Sequence, residues 1–153
     1  MSEPIEIKIE GLKELQKAFN KAPDIVVEVL GPVLQKSLIL LQASARQFVQ
    51  KDTSTLASKI ITKPKNALSG EVRADTDYAV FVHEGTKPHW PPIQAIEPWA
   101  NRHGIPPFMV ARSIAAKGTK ANPFFDYAKE ATQSDIFGFF DSAINNILTK
   151  LAA

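Results

Sequence analysis

Ile5, Ile7 and Ile9 alternate with Glu6, Lys8 and Glu10, the two-residue period of a strand with one buried face. Beyond Gly11 the period lengthens. Leu12, Leu15 and Phe19 fall at helical spacing, and Pro23 followed by Asp24 ends that helix and starts another. The second helix runs from about Asp24 to Val49, with Val26, Leu30, Val33, Leu40, Leu41 and Phe48 on or near one stripe. Gly31 and Pro32 inside it predict a kink. From Thr53 the chain turns β-permissive through Leu56, Ile60 and Ile61, and Pro64 to Gly70 supplies turn residues before Glu71 to Ala74. That order predicts a hairpin.

Tyr78 to Val82 is a short continuous apolar run, which periodicity leaves open between a third strand and a one-turn helix. Pro88, Pro91 and Pro92 exclude an interior strand or helix from Gly85 to Pro92, which reads as an exposed loop. Ile93 to Arg102 and Pro107 to Lys117 read as short helices ended by Gly104 and Gly118, each glycine suited to a left-handed C-terminal cap. Pro123 opens a last helical segment, in which Ala128, Ala131, Ile136, Phe140, Ile144, Ile147 and Leu151 recur at helical intervals and Gly138 marks a point of division. No repeat or shift in composition marks a second domain. The expected fold is α+β, one domain over residues 1–153, with a small antiparallel sheet packed by the long helix of the N-terminal half and by the C-terminal helical segment.

Composition narrows the classes this domain can belong to. At 153 residues and 44% hydrophobic, the chain can fill one core without a disulfide or a structural metal. It has no cysteine, which excludes thiolate metal sites and cysteine nucleophiles and fits folding in a reducing compartment. Met1 to Glu10 is acidic and alternating where a signal peptide is basic and then continuously apolar, so no leader is expected. The greasiest stretch, Ser37 to Leu41, falls far short of the ~20 residues of a membrane span. Eighteen basic and sixteen acidic residues are interspersed, with a formal net charge of +2. That balance marks neither a nucleic-acid binder nor a polybasic membrane anchor.

Candidate chemistry is sparse. His83, Glu84, His89 and His103 are the residues from which a metal site could be built. A zinc-protease helix, however, sets two histidines four apart with glutamate beside the first, whereas Gly85 and Pro88 separate His83 from His89. No G-x-S-x-G elbow precedes a helix, and no glycine-rich phosphate loop is present. Lys59, Lys63 and Lys65 form a basic cluster on the predicted hairpin. They support a competing reading as a DNA-binding or regulatory module, against the simpler one of lysines that protect a sheet edge. Phe124, Phe125, Tyr127, Phe137, Phe139 and Phe140 cover more than one helical face, so the second face is buried either in a thick core or against another copy, with Phe139 the candidate contact.

Three stretches, in order, resemble the phage family typified by the tenth gene product of coliphage HK97, described as head-tail joining, neck or minor tail proteins. Asp52-Thr53-Ser54-Thr55-Leu56-Ala57-Ser58-Lys59-Ile60 is similar to the family's D-T-G-x-L-x-x-S-I, with Ser54 where glycine is usual and Lys59 where serine is. Tyr78-Ala79-Val80-Phe81-Val82-His83-Glu84-Gly85-Thr86 resembles Y-A-x-Y-V-E-x-G-T, with His83 at a position usually acidic and Glu84 where an aromatic is common. Ala111 to Phe125, containing Lys117-Gly118-Thr119-Lys120 and Pro123-Phe124, resembles the I-x-x-K-G-T-K-x-x-P-F of related tail-completion proteins.

The resemblance implies a non-enzymatic structural protein of a tailed phage or prophage virion. It would form a homo-oligomeric, hexameric ring at the head-tail junction or the head-proximal end of the tail. Its partners would be further copies and the neck, connector or tail-tube proteins, with DNA only as passing cargo and with no cofactor, membrane or small-molecule substrate. Exposed strand edges could join the copies by β-augmentation. The expected contact surface is Tyr78, Phe81, His83, Glu84, Gly85 and Thr86, then the proline-stiffened loop with Pro88, His89 and Trp90, together with Phe139. A stiff loop loses little entropy on docking and tryptophan is enriched in interface hot spots, so Trp99 is a second candidate anchor.

Overall fold

Pro23 begins the long helix α1 (Pro23–Phe48), because a proline in the first turn forfeits no hydrogen bond and its fixed φ suits the helix. Asp24 in the first turn and Arg46 in the last complement the helix dipole. Val26, Leu30, Leu34, Leu38, Leu41 and Ala45, spaced by three or four, form the buried stripe. Ser37 lies within it, and its hydroxyl donates to the Val33 carbonyl at 2.8 Å, so the buried polar group is satisfied. As expected from the sequence, α1 runs through Gly31 and Pro32 as one helix. Pro32 lies on the exposed side, and Glu28, whose carbonyl loses its donor there, is exposed as well.

The computed structural model describes residues 5–8, 23–49, 52 and 54–152. Ile9 and the helix expected over Leu12, Leu15 and Phe19 lie outside the described residues. The hairpin forms from β2 (Ile60–Asn66) and β3 (Ser69–Ala74). Its turn is tighter than the Pro64 to Gly70 stretch suggested, because Asn66 accepts a hydrogen bond from the Leu68 N–H at 2.9 Å and closes the chain around Ala67 and Leu68. Pro64 has no N–H for the ladder, and the register slips between Pro64 and Asn66. β1 (Ile5–Lys8) pairs antiparallel with the other side of β3, so the order is β1-β3-β2 and β2 is an edge.

A helical turn, α2 (Thr55–Ser58), precedes β2 in the segment that read as β-permissive. The open reading at Tyr78 to Val82 resolves to a short helix, α3 (Ala79–Glu84). Two more helices follow at the expected bounds, α4 (Ile93–Arg102) and α5 (Pro107–Lys117). The last helix, α6 (Phe124–Ala152), is continuous through Gly138, where a division was expected.

One core joins α1 to the sheet and to the start of α6. It comprises Leu34, Leu38, Leu41 and Ala45 of α1, Leu56 of α2, Ile60 and Val72 of the hairpin, Ala79 of α3, and Phe124, Phe125 and Ala128 of α6. A second cluster sets Val26 and Leu30 against Ala143 and Ile147. The early part of α1 thus meets the late part of α6, and the two helices lie antiparallel. Each fully buried Leu, Ile or Phe contributes about 1.5–3 kcal/mol. The result is the expected mixed α+β domain, with a small antiparallel sheet and two long helices.

Candidate functional site

The site is built where two Gly-Thr pairs cross. Gly85 and Gly118 have φ of +73° and +72° with ψ of −177° and −161°. This is a region almost restricted to glycine, so Gly118 ends α5 in an extended mirror conformation and not in the left-handed cap anticipated for it. The two glycines let Thr86 and Thr119 run antiparallel as an isolated bridge. Thr86 N–H donates to the Thr119 carbonyl at 3.2 Å, Thr119 N–H donates to the Thr86 carbonyl at 3.1 Å, and the Thr119 hydroxyl donates to the Thr86 hydroxyl at 3.0 Å. The backbones are so close that a Cβ on Gly118 would lie 1.9 Å from the Thr86 carbonyl oxygen.

This waist closes off residues 87–118 as a helical arm. Within it α4 and α5 pack chiefly on each other, with Ala100 and Ala111 as their buried residues. A second tie crosses from the arm to the body. The Arg102 guanidinium donates through Nε to Asp52 Oδ1 at 3.2 Å and through Nη2 to Oδ2, the bidentate geometry that suits arginine to carboxylates. His103 Nε2 lies 3.9 Å from the same carboxylate and its ring stacks on Trp99, with centroids 4.2 Å apart. Hydrogen bonding to Arg102 holds the Asp52 carboxyl below its ordinary value, an effect that burial only partly opposes.

Between arm and body lies an open groove of about 1020 Å³. Asp52, Ser54 and Leu56 line it from α2 and its approach, Tyr78, Phe81 and Val82 from α3, Ile96 and Trp99 from α4, Ile114 from α5, and Thr119, Lys120 and Asn122 from the segment before α6. All three stretches singled out in the sequence therefore meet at one place, although they are spread from residue 52 to residue 125. The floor is apolar. The rim carries Lys87, His89 and Lys120, while Asp52 is committed to Arg102.

The predicted contact residues divide on this geometry. Tyr78, Phe81, Pro88 and His89 line the groove and are exposed. Gly85 and Thr86 build the waist. Trp90 is exposed on the arm, with its ring edge-on to Phe108 at 5.7 Å. Glu84 is exposed outside the groove. His83 is turned inward, its ring edge-on to Phe124 at 5.2 Å and its Nε2 3.7 Å from Asp126 Oδ2 without a hydrogen bond. Phe139 is half-buried, with Lys36 Nζ 3.7 Å from its ring centre, whereas Phe137 is 59% exposed. Among the described residues no three histidine or carboxylate side chains converge to hold a metal ion.

The lysine cluster sits on the β2 edge and its approach. Lys65 is 3.0 Å from the buried Glu71 carboxylate, so one of its three charges is already spent within the sheet. Pro64 with Lys63 and Lys65 also makes β2 a poor template for another strand, which weighs against β-augmentation on that edge.

Sequence reasoning did not find the Asp52–Arg102 tie, or Ile96 and Ile114 as groove walls. The spacing of Ile96, Trp99 and Arg102 on α4 is a readable amphipathic signal, but its partner fifty residues earlier is not. Compared with known proteins, the chain matches no family model, no curated protein and no solved structure.

Proposed function

We propose that this chain is a structural docking subunit of a tailed-phage or prophage virion. It self-associates into a hexameric ring that completes the tail or joins it to the head, and it carries out no reaction. One observation carries this reading. Of the fourteen exposed large apolar side chains among the described residues, eight, Tyr78, Phe81, Trp90, Ile93, Trp99, Ile105, Phe108 and Met109, fall within residues 78–109, on the arm and the groove wall facing it. A concentration of exposed large apolar side chains on one part of a folded domain is characteristic of a protein interface. Tryptophan and other aromatic side chains are the residue types that dominate docking energy.

The resemblance to neck and tail-completion proteins supports the same reading, since the stretches that carry it are those that line the groove and form the waist. A near-neutral charge also suits a conduit, because a strongly basic lumen would hold passing DNA through many phosphate contacts. The competing DNA-binding reading keeps only Lys59 and Lys63 without a bonded carboxylate among the described residues, which is a small footprint.

Light scattering coupled to size-exclusion chromatography, with electron microscopy of the pure protein, tests the proposal. The expected result is a closed ring, together with particles that fail to join heads to tails when the protein is missing. Correctly joined virions without it would refute the joining role. A gel shift that weakens steeply with salt would favour the DNA-binding reading.

A further inference from the structure

The groove is cationic at its rim, and the same chain carries a surface of opposite character elsewhere. Lys87 and Lys120 have no ion-pair partner among the described residues, and His89 stands beside them. On α6, residues Asp126, Glu130, Phe137, Asp141 and Leu148 are separated by four, seven, four and seven, which places them along a single stripe of a 3.6-residue helix. All are exposed, Phe137 at 59% and Leu148 at 47%. The opposite side of α6 is the one buried along α1, through Ala128, Ala143 and Ile147. Glu130 and Asp141 have no cationic partner among the described residues, and no basic residue interrupts the stripe.

We infer that the acidic, apolar stripe of α6 is the occupant of the groove on the next copy of this chain, with Phe137 entering between α3 and α4 and with Glu130 and Asp141 facing Lys87 and Lys120. The inference rests on the ring-forming reading and specifies which two patches meet. Charge complementarity selects the occupant. An apolar cleft rimmed by lysines favours an apolar segment flanked by carboxylates, and this face of α6 supplies both. Glu130 to Asp141 spans roughly 16 Å at 1.5 Å per residue, a length suited to a cleft between short helices.

The two patches cannot meet within one copy. No residue of α6 lines the groove, and α6 is pinned along its length to α1. Contact between unlike patches is heterologous, the kind that closes into a ring when the rotation per copy permits.

The absence of cysteine makes the test direct. One preparation carries F137C and another I96C, and the two are mixed under mild oxidation. The expected product is a mixed disulfide dimer formed well above the self-linked dimer of either variant. Predominant self-linking of F137C would mean that α6 packs on α6 by a two-fold contact, and overturns the inference.

Charge reversal supplies a second measurement that does not depend on the introduced thiols. E130K/D141K is expected to weaken self-association on the order of tenfold to a hundredfold, and K87E/K120E in the same chain is expected to restore it. If the unaltered protein assembles and neither variant changes its assembly, the groove belongs to a different chain and this inference fails while the ring stands. If the unaltered protein remains a single chain at every concentration, the ring reading fails together with it.

Discussion

Replacing Gly118 with alanine tests whether the waist holds the arm in place. Gly118 lies at φ +72° and ψ −161°, where a residue with a Cβ is strained by about 1–3 kcal/mol. The added carbon would sit 1.9 Å from the Thr86 carbonyl oxygen and 2.9 Å from the carbonyl carbons of Thr86 and Lys87. These are backbone atoms with no rotamer to yield, so the two segments must part. The reciprocal Thr86 and Thr119 backbone hydrogen bonds are then lost, at about 1 kcal/mol each. The sum is about 3–5 kcal/mol, on the order of a hundredfold to several thousandfold in the opening equilibrium.

Hydrogen exchange resolved by peptide is the assay, because it separates local opening of residues 87–117 from global unfolding. Exchange in the arm is expected to quicken by that factor while α1 keeps its protection. The same substitution at Gly138 is the control. A Cβ there meets nothing within 4 Å, and alanine in the helix interior is favoured by about 0.8–1 kcal/mol, a rise in Tm of about 2–4 °C. If G118A exchanged like the unaltered chain, the waist would not be what fixes the arm.

Two further expectations follow from the groove and the core. The Asp52 carboxyl is held below its ordinary value of 3.8 by Arg102, so the tie contributes fully above that pH and is lost as pH falls through the lower folded value. The difference in thermal stability between the unaltered chain and R102A should therefore be flat at neutral pH and shrink only below about pH 3.8, and a difference unchanged at pH 3 would refute the assignment. Phe124→Ala, which removes a fully buried ring shared by α6 and the sheet-side core, should cost about 3–5 kcal/mol in urea unfolding. A cost below about 1 kcal/mol would show that the site collapses around the loss.

Much of this architecture is written locally in the chain. The alternation at Ile5 and Ile7, the helical recurrence of Val26, Leu30 and Leu41, and the Pro and Gly punctuation around α4 and α5 determine the element types and most of their bounds, because period and backbone restriction act over a few residues, although Val33 and Leu40 of the expected stripe are half-buried and Phe48 is exposed. The hydrophobic content likewise determines that one core can form. Readings failed where packing overrode propensity. Gly138 does not divide α6, since α1 supports that helix on either side of it through Ala128, Ala143 and Ile147.

The site belongs to the tertiary structure. Gly85-Thr86 and Gly118-Thr119 are two ordinary dipeptides until the fold lays one across the other, and their need for glycine comes from the neighbour's carbonyl as much as from their own φ. Asp52 meets Arg102 across fifty residues, and Phe137 in place of Phe139 faces outward because α1 occupies the adjoining face with Lys36. Pairings of this kind depend on which surfaces the core brings together, and no local period encodes them.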